Sequence, residues 1–236
     1  MKSISTVFAF ALVAGACGGS DLDPGSGNDP GTGTNTLLVD GRARAEANVV
    51  NARIPADYTT EVSVRVTLNG VTVTTGTVTI TSATDSVPLV FNPDEGRWGA
   101  NLAGYDEVYV LDVESGPDSV TGVRVDGPDI HSFTLPELGA VVDSTQPLEV
   151  HWTRHDEADF ASIDTARLDG DIQIADNGIY TLPANSLEAD SSQPKDNTIE
   201  LRRTNRVIPA GAVAGSEWNV GIVNDLQVVA QANPAL

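Results

Sequence analysis

Residues 61–68, EVSVRVTL, alternate polar and apolar side chains with a period of two. This period predicts a β-strand with one buried face. Asn69 and Gly70 follow, and a second Val/Thr run occupies residues 71–73. Asn-Gly between two such runs is the strongest short-range signal for a β-hairpin, because both turn positions need a positive φ. The pattern therefore favours antiparallel β-structure over helix in this part of the chain.

Further short segments that predict strands recur along the chain. They lie at 76–81, 87–91, 97–102, 107–113, 120–125, 147–153, 171–174, 178–182, 198–203 and 218–230. Residues 43–50 are rich in alanine, but Val49 and Val50 end the run and we also predict a strand there. Short strands at a spacing of roughly ten residues, with turns between them, are typical of β-sandwiches.

We therefore expect an all-β fold made of two antiparallel β-sandwich modules. A break at Gly127-Pro128-Asp129 places the first module at residues 37–127 and the second at residues 128–236. One large sandwich is the alternative, since about 200 residues can form either arrangement.

The two predicted modules resemble known β-sandwich families. The first resembles bacterial immunoglobulin-like and carboxypeptidase-regulatory-like modules through its 69–70 hairpin, its 96–98 turn and residues 105–113. The second resembles a fibronectin-type or immunoglobulin-like module through residues 148–152, LEVHW. These resemblances imply a sandwich fold and cover no catalytic motif. The chain departs from antibody domains in lacking their cysteine pair.

The N-terminus carries the pattern of an export signal. Lys2 precedes an apolar stretch at residues 4–13, which is too short to span a bilayer as a helix, and small residues at 14–16 lead to Cys17. This resembles the lipobox of bacterial lipoproteins, which implies a signal peptide at residues 1–16 and acylation, for example by palmitate, of the Cys17 sulfur. An ordinary secretory signal is the alternative, because residues 14–16 also satisfy the small-x-small rule.

Two further features agree with a lipid anchor. Cys17 is the only cysteine of the chain, and acylation would leave no unpaired thiol in an oxidising compartment. Residues 17–36 are mainly Gly, Ser, Asp, Pro and Thr, which predicts a disordered linker after the lipidated residue. Gly18, in place of Asp, resembles the sorting signal for the outer membrane of Gram-negative bacteria.

The charge of the chain restricts its partners. The formal net charge is −20 and the isoelectric point is near 4.2. Such a surface repels phosphate backbones, so we expect no nucleic-acid partner. It also repels anionic headgroups, so contact with the membrane should occur through the lipid anchor. We attribute the acidity to solubility, with divalent-cation binding as the alternative.

Two groups of side chains are candidates for a metal site, although we expect none. His151 and His155 have acidic neighbours, but a four-residue step along a strand separates them by about 13 Å. Asp169, Asp171 and Asp176 lie on turn-rich sequence without the spacing of an EF-hand. Calcium at these aspartates is the alternative that the sequence leaves open.

No motif for enzymatic chemistry is present in the sequence. It contains no G-x-S-x-G elbow, phosphate loop or dinucleotide fingerprint, so we expect a protein that is not an enzyme. The basic cluster RRTNR at residues 202–206 is expected to pair with acidic loops, and an anion or glycan contact is the alternative.

Together these features predict a cell-envelope lipoprotein of structural, adhesion or binding type with a protein or glycan partner. The alternatives are a periplasmic substrate-capture or accessory subunit of an enzyme system, and a calcium-dependent binding module.

Overall fold

The structure is a computed structural model that describes residues 22–233. Its regular elements there are β-strands and one short 3-10 helix at Pro55–Asp57. The strands are β1 (Thr32–Gly33), β2 (Leu37–Ala47), β3 (Tyr58–Leu68), β4 (Val71–Thr72), β5 (Thr77–Ser82), β6 (Ser86–Pro88), β7 (Val90–Asn92), β8 (Arg97–Ala103), β9 (Val108–Ser115), β10 (Asp118–Asp126), β11 (Phe133–Leu135), β12 (Val141–Val142), β13 (Leu148–Trp152), β14 (Phe160–Thr165), β15 (Ile172–Ile174), β16 (Ile179–Leu182), β17 (Lys195–Val207) and β18 (Glu217–Ala230). The prediction of an all-β fold of sandwich type is confirmed.

The Asn-Gly hairpin forms as its sequence predicts. Asn69 and Gly70 connect β3 to β4, and both have a positive φ, 50° and 80°. A two-residue turn with this backbone matches the twist of the flanking strands. The alternation in β3 is also realised, because Val62, Val64 and Val66 are buried on one face of the strand.

The strands form three sheets. The large sheet has the order β15-β14-β17-β18-β2-β3-β8-β7, with β12 added to β18 and β4 added to β3. A five-stranded sheet has the order β1-β10-β9-β5-β6, and a three-stranded sheet has the order β11-β13-β16. Most pairs are antiparallel, but β18 is parallel to both β2 and β12. The parallel pair places the first long strand beside the last one in the middle of the large sheet.

The large sheet is shared by two hydrophobic cores. In the first core, Val64 and Trp218 of the large sheet pack with Leu111 of the five-stranded sheet. In the second core, Leu201 of the large sheet packs with Trp152 of the three-stranded sheet. Each smaller sheet therefore covers one part of the inner face of the large sheet.

Strand β18 serves both cores. Its Trp218, Val220 and Ile222 belong to the first core, whereas its Leu226 and Val228 belong to the second. A 14-residue strand is long enough for this, since it spans roughly 46 Å. The division into modules 37–127 and 128–236 stays a prediction, but the two cores are not built from two consecutive segments of the chain.

The prediction of a disordered linker is wrong for residues 22–36. Strand β1 pairs with β10, and Asp29 forms a further antiparallel bridge to Arg124. The Asp126 carboxylate accepts hydrogen bonds from the backbone N–H groups of Gly25 and Gly27, at 2.9 and 2.8 Å. We call residues 23–36 the strap. Its polar composition cannot form a core, but backbone hydrogen bonds to an edge strand need no apolar side chains.

Glycine is required where the strap meets the loop after β17. A Cβ atom on Gly211 would lie 2.1 Å from the backbone nitrogen of Gly33. Gly116 has a similar positive φ, 59° against 72°, but a Cβ atom there would meet nothing within 4 Å. We expect Gly211→Ala to destabilise the protein by about 1–3 kcal/mol more than Gly116→Ala in urea unfolding, because only the first substitution overpacks. Equal losses in the two variants would show that the strap does not pack against this loop.

Candidate functional site

An open cleft lies beside the segment that links the two cores. We call residues 126–129 the junction segment. It forms one wall of the cleft, the beginning of the strap forms a second, and the loop before β14 forms a third. The cleft has a volume of about 440 Å³. It is lined by Pro24, Gly25, Gly27, Asn28, Glu107, Asp126, Gly127, Pro128, Asp129, His155, Asp156, Glu157, Ala158, Asp159 and Asn205.

Acidic side chains dominate the lining of the cleft, and several already have partners. Asp126 holds the strap and also pairs with Arg124 at 2.7 Å. The Asp159 carboxylate accepts the backbone N–H of Arg206 at 2.8 Å. Burial raises the pKa of Glu107, and the nearby Asp129 carboxylate raises it further. Asp156 and Glu157, in contrast, are exposed at the rim. The free negative charge of the cleft is therefore concentrated at its rim.

A buried arginine lies behind the lining of the cleft and binds two of these acidic residues. The Arg203 side chain on β17 has no exposed surface, and its Nε donates to Asp176 Oδ2 at 2.9 Å. Its Nη1 donates to the backbone and side-chain oxygens of Asp129, and its Nη2 donates to the Asp156 carbonyl at 2.6 Å. One guanidinium thus connects β17 to the junction segment, to the loop before β14 and to the turn after β15.

Asp176 is the second half of this buried pair. Its Oδ1 accepts the Trp152 indole N–H at 3.0 Å, and its Oδ2 accepts the backbone N–H of Ala158 at 2.8 Å. Its side chain is 1% exposed. Both carboxylate oxygens of Asp176 accept hydrogen bonds from protein donors. Asp176 is therefore a structural carboxylate and is not positioned for a metal ion.

His131 lies in the same buried region. Its Nε2 is 3.2 Å from the Leu201 carbonyl, and its Nδ1 has no hydrogen-bond partner in the described part of the chain. Burial lowers the pKa of His131 to about 3, and the positive charge of Arg203 lowers it in the same direction. The imidazole is therefore neutral at neutral pH and donates from Nε2.

The structure does not bring the candidate metal ligands together. His151 is on β13 beside Glu149, at 3.4 Å, whereas His155 lies in the cleft with a side chain that is 92% exposed. Asp171 pairs with Arg202, Asp176 pairs with Arg203, and Asp169 is in an exposed turn. Across residues 22–233, no three His, Cys, Asp or Glu side chains are grouped so that they could hold a metal ion. Cys17 lies outside the described residues.

The basic cluster at 202–206 forms ion pairs, as expected. Arg202 pairs with Asp171 and with Glu200, and Arg206 pairs with Glu217 at 3.6 Å while its guanidinium lies 4.8 Å from the centre of the Phe160 ring. The burial of Arg203 was not expected from its charge. The sequence does indicate this burial, because Ile199 and Leu201 are apolar and the period of two in a strand places Arg203 on the same face as these residues.

Arginines on neighbouring strands extend this pattern of ion pairs across the outer face of the large sheet. Arg42 pairs with Glu61 at 3.4 Å, and Arg97 pairs with Asp40 at 2.8 Å. Arg44 lies between Glu46 and Glu200, at 3.2 and 3.9 Å. These exposed or half-exposed pairs contribute little stability each, and every one of these arginines has a carboxylate partner. The acidic cleft is thus the more distinctive feature of the surface.

The chain is of the all-β sandwich class, and comparison with known proteins adds no family. No protein-family model matches the chain, and no curated protein matches it. One similar solved structure is the D0-D1 domain of intimin, at 13% identity and a TM-score of 0.26, covering 81% of this chain and 98% of that one.

Two further solved structures are similar to a comparable degree. One is a Ca²⁺-stabilised adhesin with which an Antarctic bacterium binds ice, at 14% identity and a TM-score of 0.25, covering 83% of this chain and 49% of that one. The other is the BSP domain of a biofilm-associated protein, at 17% identity and a TM-score of 0.23, covering 82% and 30%. At these TM-scores the folds do not superpose, so these names give no information on what this chain binds.

Within residues 22–233, no helix is both long enough and apolar enough to cross a bilayer.

Proposed function

We propose that this chain is a lipid-anchored protein of the cell envelope whose β-sandwich body binds a partner and does not catalyse a reaction. The observation that carries the proposal is the N-terminal pattern: an apolar stretch, three small residues and then Cys17, the only cysteine in the chain. Gly18 supports sorting to the outer membrane of a Gram-negative bacterium through its resemblance to the lipoprotein sorting signal.

The body supports the binding part of the proposal. Its cleft is open, the Arg203 and Asp176 pair holds several lining residues from behind, and the exposed acids lie at the rim. A rigid scaffold that presents charged loops is a common arrangement for recognition. The negative charge favours a protein or glycan partner that carries basic groups over a nucleic acid.

Metabolic labelling with an alkyne analogue of palmitate tests the anchor. The wild-type chain should incorporate the label and fractionate with membranes, because the Cys17 sulfur is the proposed acylation site. Cys17→Ser should lose the label. As a matched control, Cys17→Ser combined with Ser20→Cys restores a thiol outside the lipobox and should also remain unlabelled.

Two outcomes would contradict the proposal. A Cys17→Ser chain that stays in the membrane fraction at its mature size would exclude anchoring through this residue.

The same strains test the binding part by cross-linking in intact cells. The wild-type chain should capture a specific partner, and the absence of a captured partner would count against a binding role. Capture of an enzyme subunit would favour the accessory role instead.

A further inference from the structure

We propose that the rim of the cleft, at Pro24 and Glu157, faces the bilayer at short range, so that the body is attached to the membrane at its middle. The inference rests on the proposed acylation of Cys17. It concerns the surface that faces the lipid, and it follows from the point at which the strap joins the body.

The chain becomes part of the body at Asp23. The Arg124 guanidinium donates to the Asp23 carbonyl at 2.8 Å, and Arg124 Nε donates to Asp126 Oδ1 at 2.8 Å. The same Asp126 carboxylate holds Gly25 and Gly27 through their N–H groups. The strap is therefore fixed to the end of β10 that carries the junction segment.

Chain length then limits the distance to the membrane. Only residues 18–22 separate Cys17 from Asp23, and a fully extended chain covers at most about 3.6 Å per residue. Asp23 therefore lies within roughly 22 Å of the acylated sulfur. A linker free up to Leu37 would allow roughly 70 Å, so the strap removes most of the predicted stand-off distance.

The position of the strap decides which surface is close to the lipid. Pro24 and Gly25 line the cleft together with Glu157, so the cleft rim lies beside the attachment point. The turn between β9 and β10, at Gly116 and Pro117, lies at the other end of β10. β10 has 9 residues, which places that turn about 26 Å from the attachment point.

The charge of the rim defines the kind of lipid surface that it fits. Asp156, Glu157 and Asp159 are exposed there, and anionic headgroups within a Debye length of about 8 Å would repel them. A zwitterionic surface carries no such penalty. The rim should therefore lie close to a zwitterionic bilayer without adsorbing to it.

Energy transfer from the protein to the bilayer tests this arrangement. The processed lipoprotein is purified from membranes and placed in zwitterionic phosphatidylethanolamine and phosphatidylcholine vesicles that carry a headgroup acceptor. Because the Cys17 sulfur is a thioether once the lipid is attached, a donor on Glu157→Cys or Pro117→Cys is attached to the only free thiol of the chain. Both positions are exposed.

The expected result is stronger transfer from position 157 than from position 117. Inserting about twenty Gly and Ser residues after Gly19 should lower the transfer from position 157 by about half, because the body then moves away from the bilayer. The inference would be overturned if energy transfer were equal from the two positions and the insertion left it unchanged. A chain that fails to enter vesicles at all would overturn the proposed acylation first, and the inference with it.

Discussion

Replacing Asp176 with alanine is expected to destabilise the protein by about 3–5 kcal/mol, because the substitution leaves the Arg203 guanidinium buried without its carboxylate. The loss also removes the acceptor of the Trp152 indole and of the Ala158 backbone. Each buried donor that loses its partner adds a cost of its own. The midpoint of urea unfolding measures the effect.

The chain offers a matched control for this substitution. Asp171 also lies at an end of β15 and also pairs with an arginine of β17, but Asp171 and its partner Arg202 are 41% and 29% exposed. Asp171→Ala should therefore cost less than about 1 kcal/mol. A similar loss in both variants would mean that the Arg203 region is hydrated and that the buried pair does not hold the lining of the cleft in place.

Acidification is expected to weaken the fold through His131. The unfolded histidine binds a proton below a pKa of 6.5, whereas the folded one stays neutral down to a pKa of about 3. The unfolded state therefore binds more protons between these values, so stability falls as the pH is lowered. At pH 5 the difference amounts to about 2 kcal/mol relative to pH 7.5, and it approaches 4–5 kcal/mol near pH 3.

Comparison of His131→Gln with the wild type isolates this effect. Burial raises the pKa of both Asp225 and Glu107, which gives a pH dependence of the opposite sign, but these residues are present in both proteins. The wild type should lose more stability than His131→Gln in urea unfolding between pH 7.5 and pH 5. Parallel pH profiles for wild type and His131→Gln would contradict the assignment.

The strands were predictable because they depend on local chemistry. The period of two in β3 and the positive φ demanded by Asn69-Gly70 act within a few residues, and the structure follows both. Strand β13 of the second core was predictable in the same way, because Val150 and Trp152 lie on one face, and both are buried. Such a strand can be predicted without knowing which other strand it pairs with.

The strap and the cleft were not predictable, because both depend on partners far away in the sequence. Composition alone makes residues 23–36 resemble a linker, whereas distant partners such as the Asp126 carboxylate and the edge of β10 hold this segment in the fold. The burial of Arg203 likewise requires acceptors at Asp129, Asp156 and Asp176. The sequence predicts the ion pairs from charge, but it does not predict that the pair of Arg203 and Asp176 is buried.

The central position of β18 has a consequence for how the chain matures. Trp218 completes the first core and Leu226 completes the second, so neither core can close before the last long strand arrives. Pairing β18 with β2 also joins residues 217–223 to residues 40–46, a contact of very high sequence separation that forms slowly. A nascent chain that lacks this strand keeps both apolar surfaces open. Under the export that we propose, such a delay keeps the polypeptide in a form that can still be translocated across the membrane.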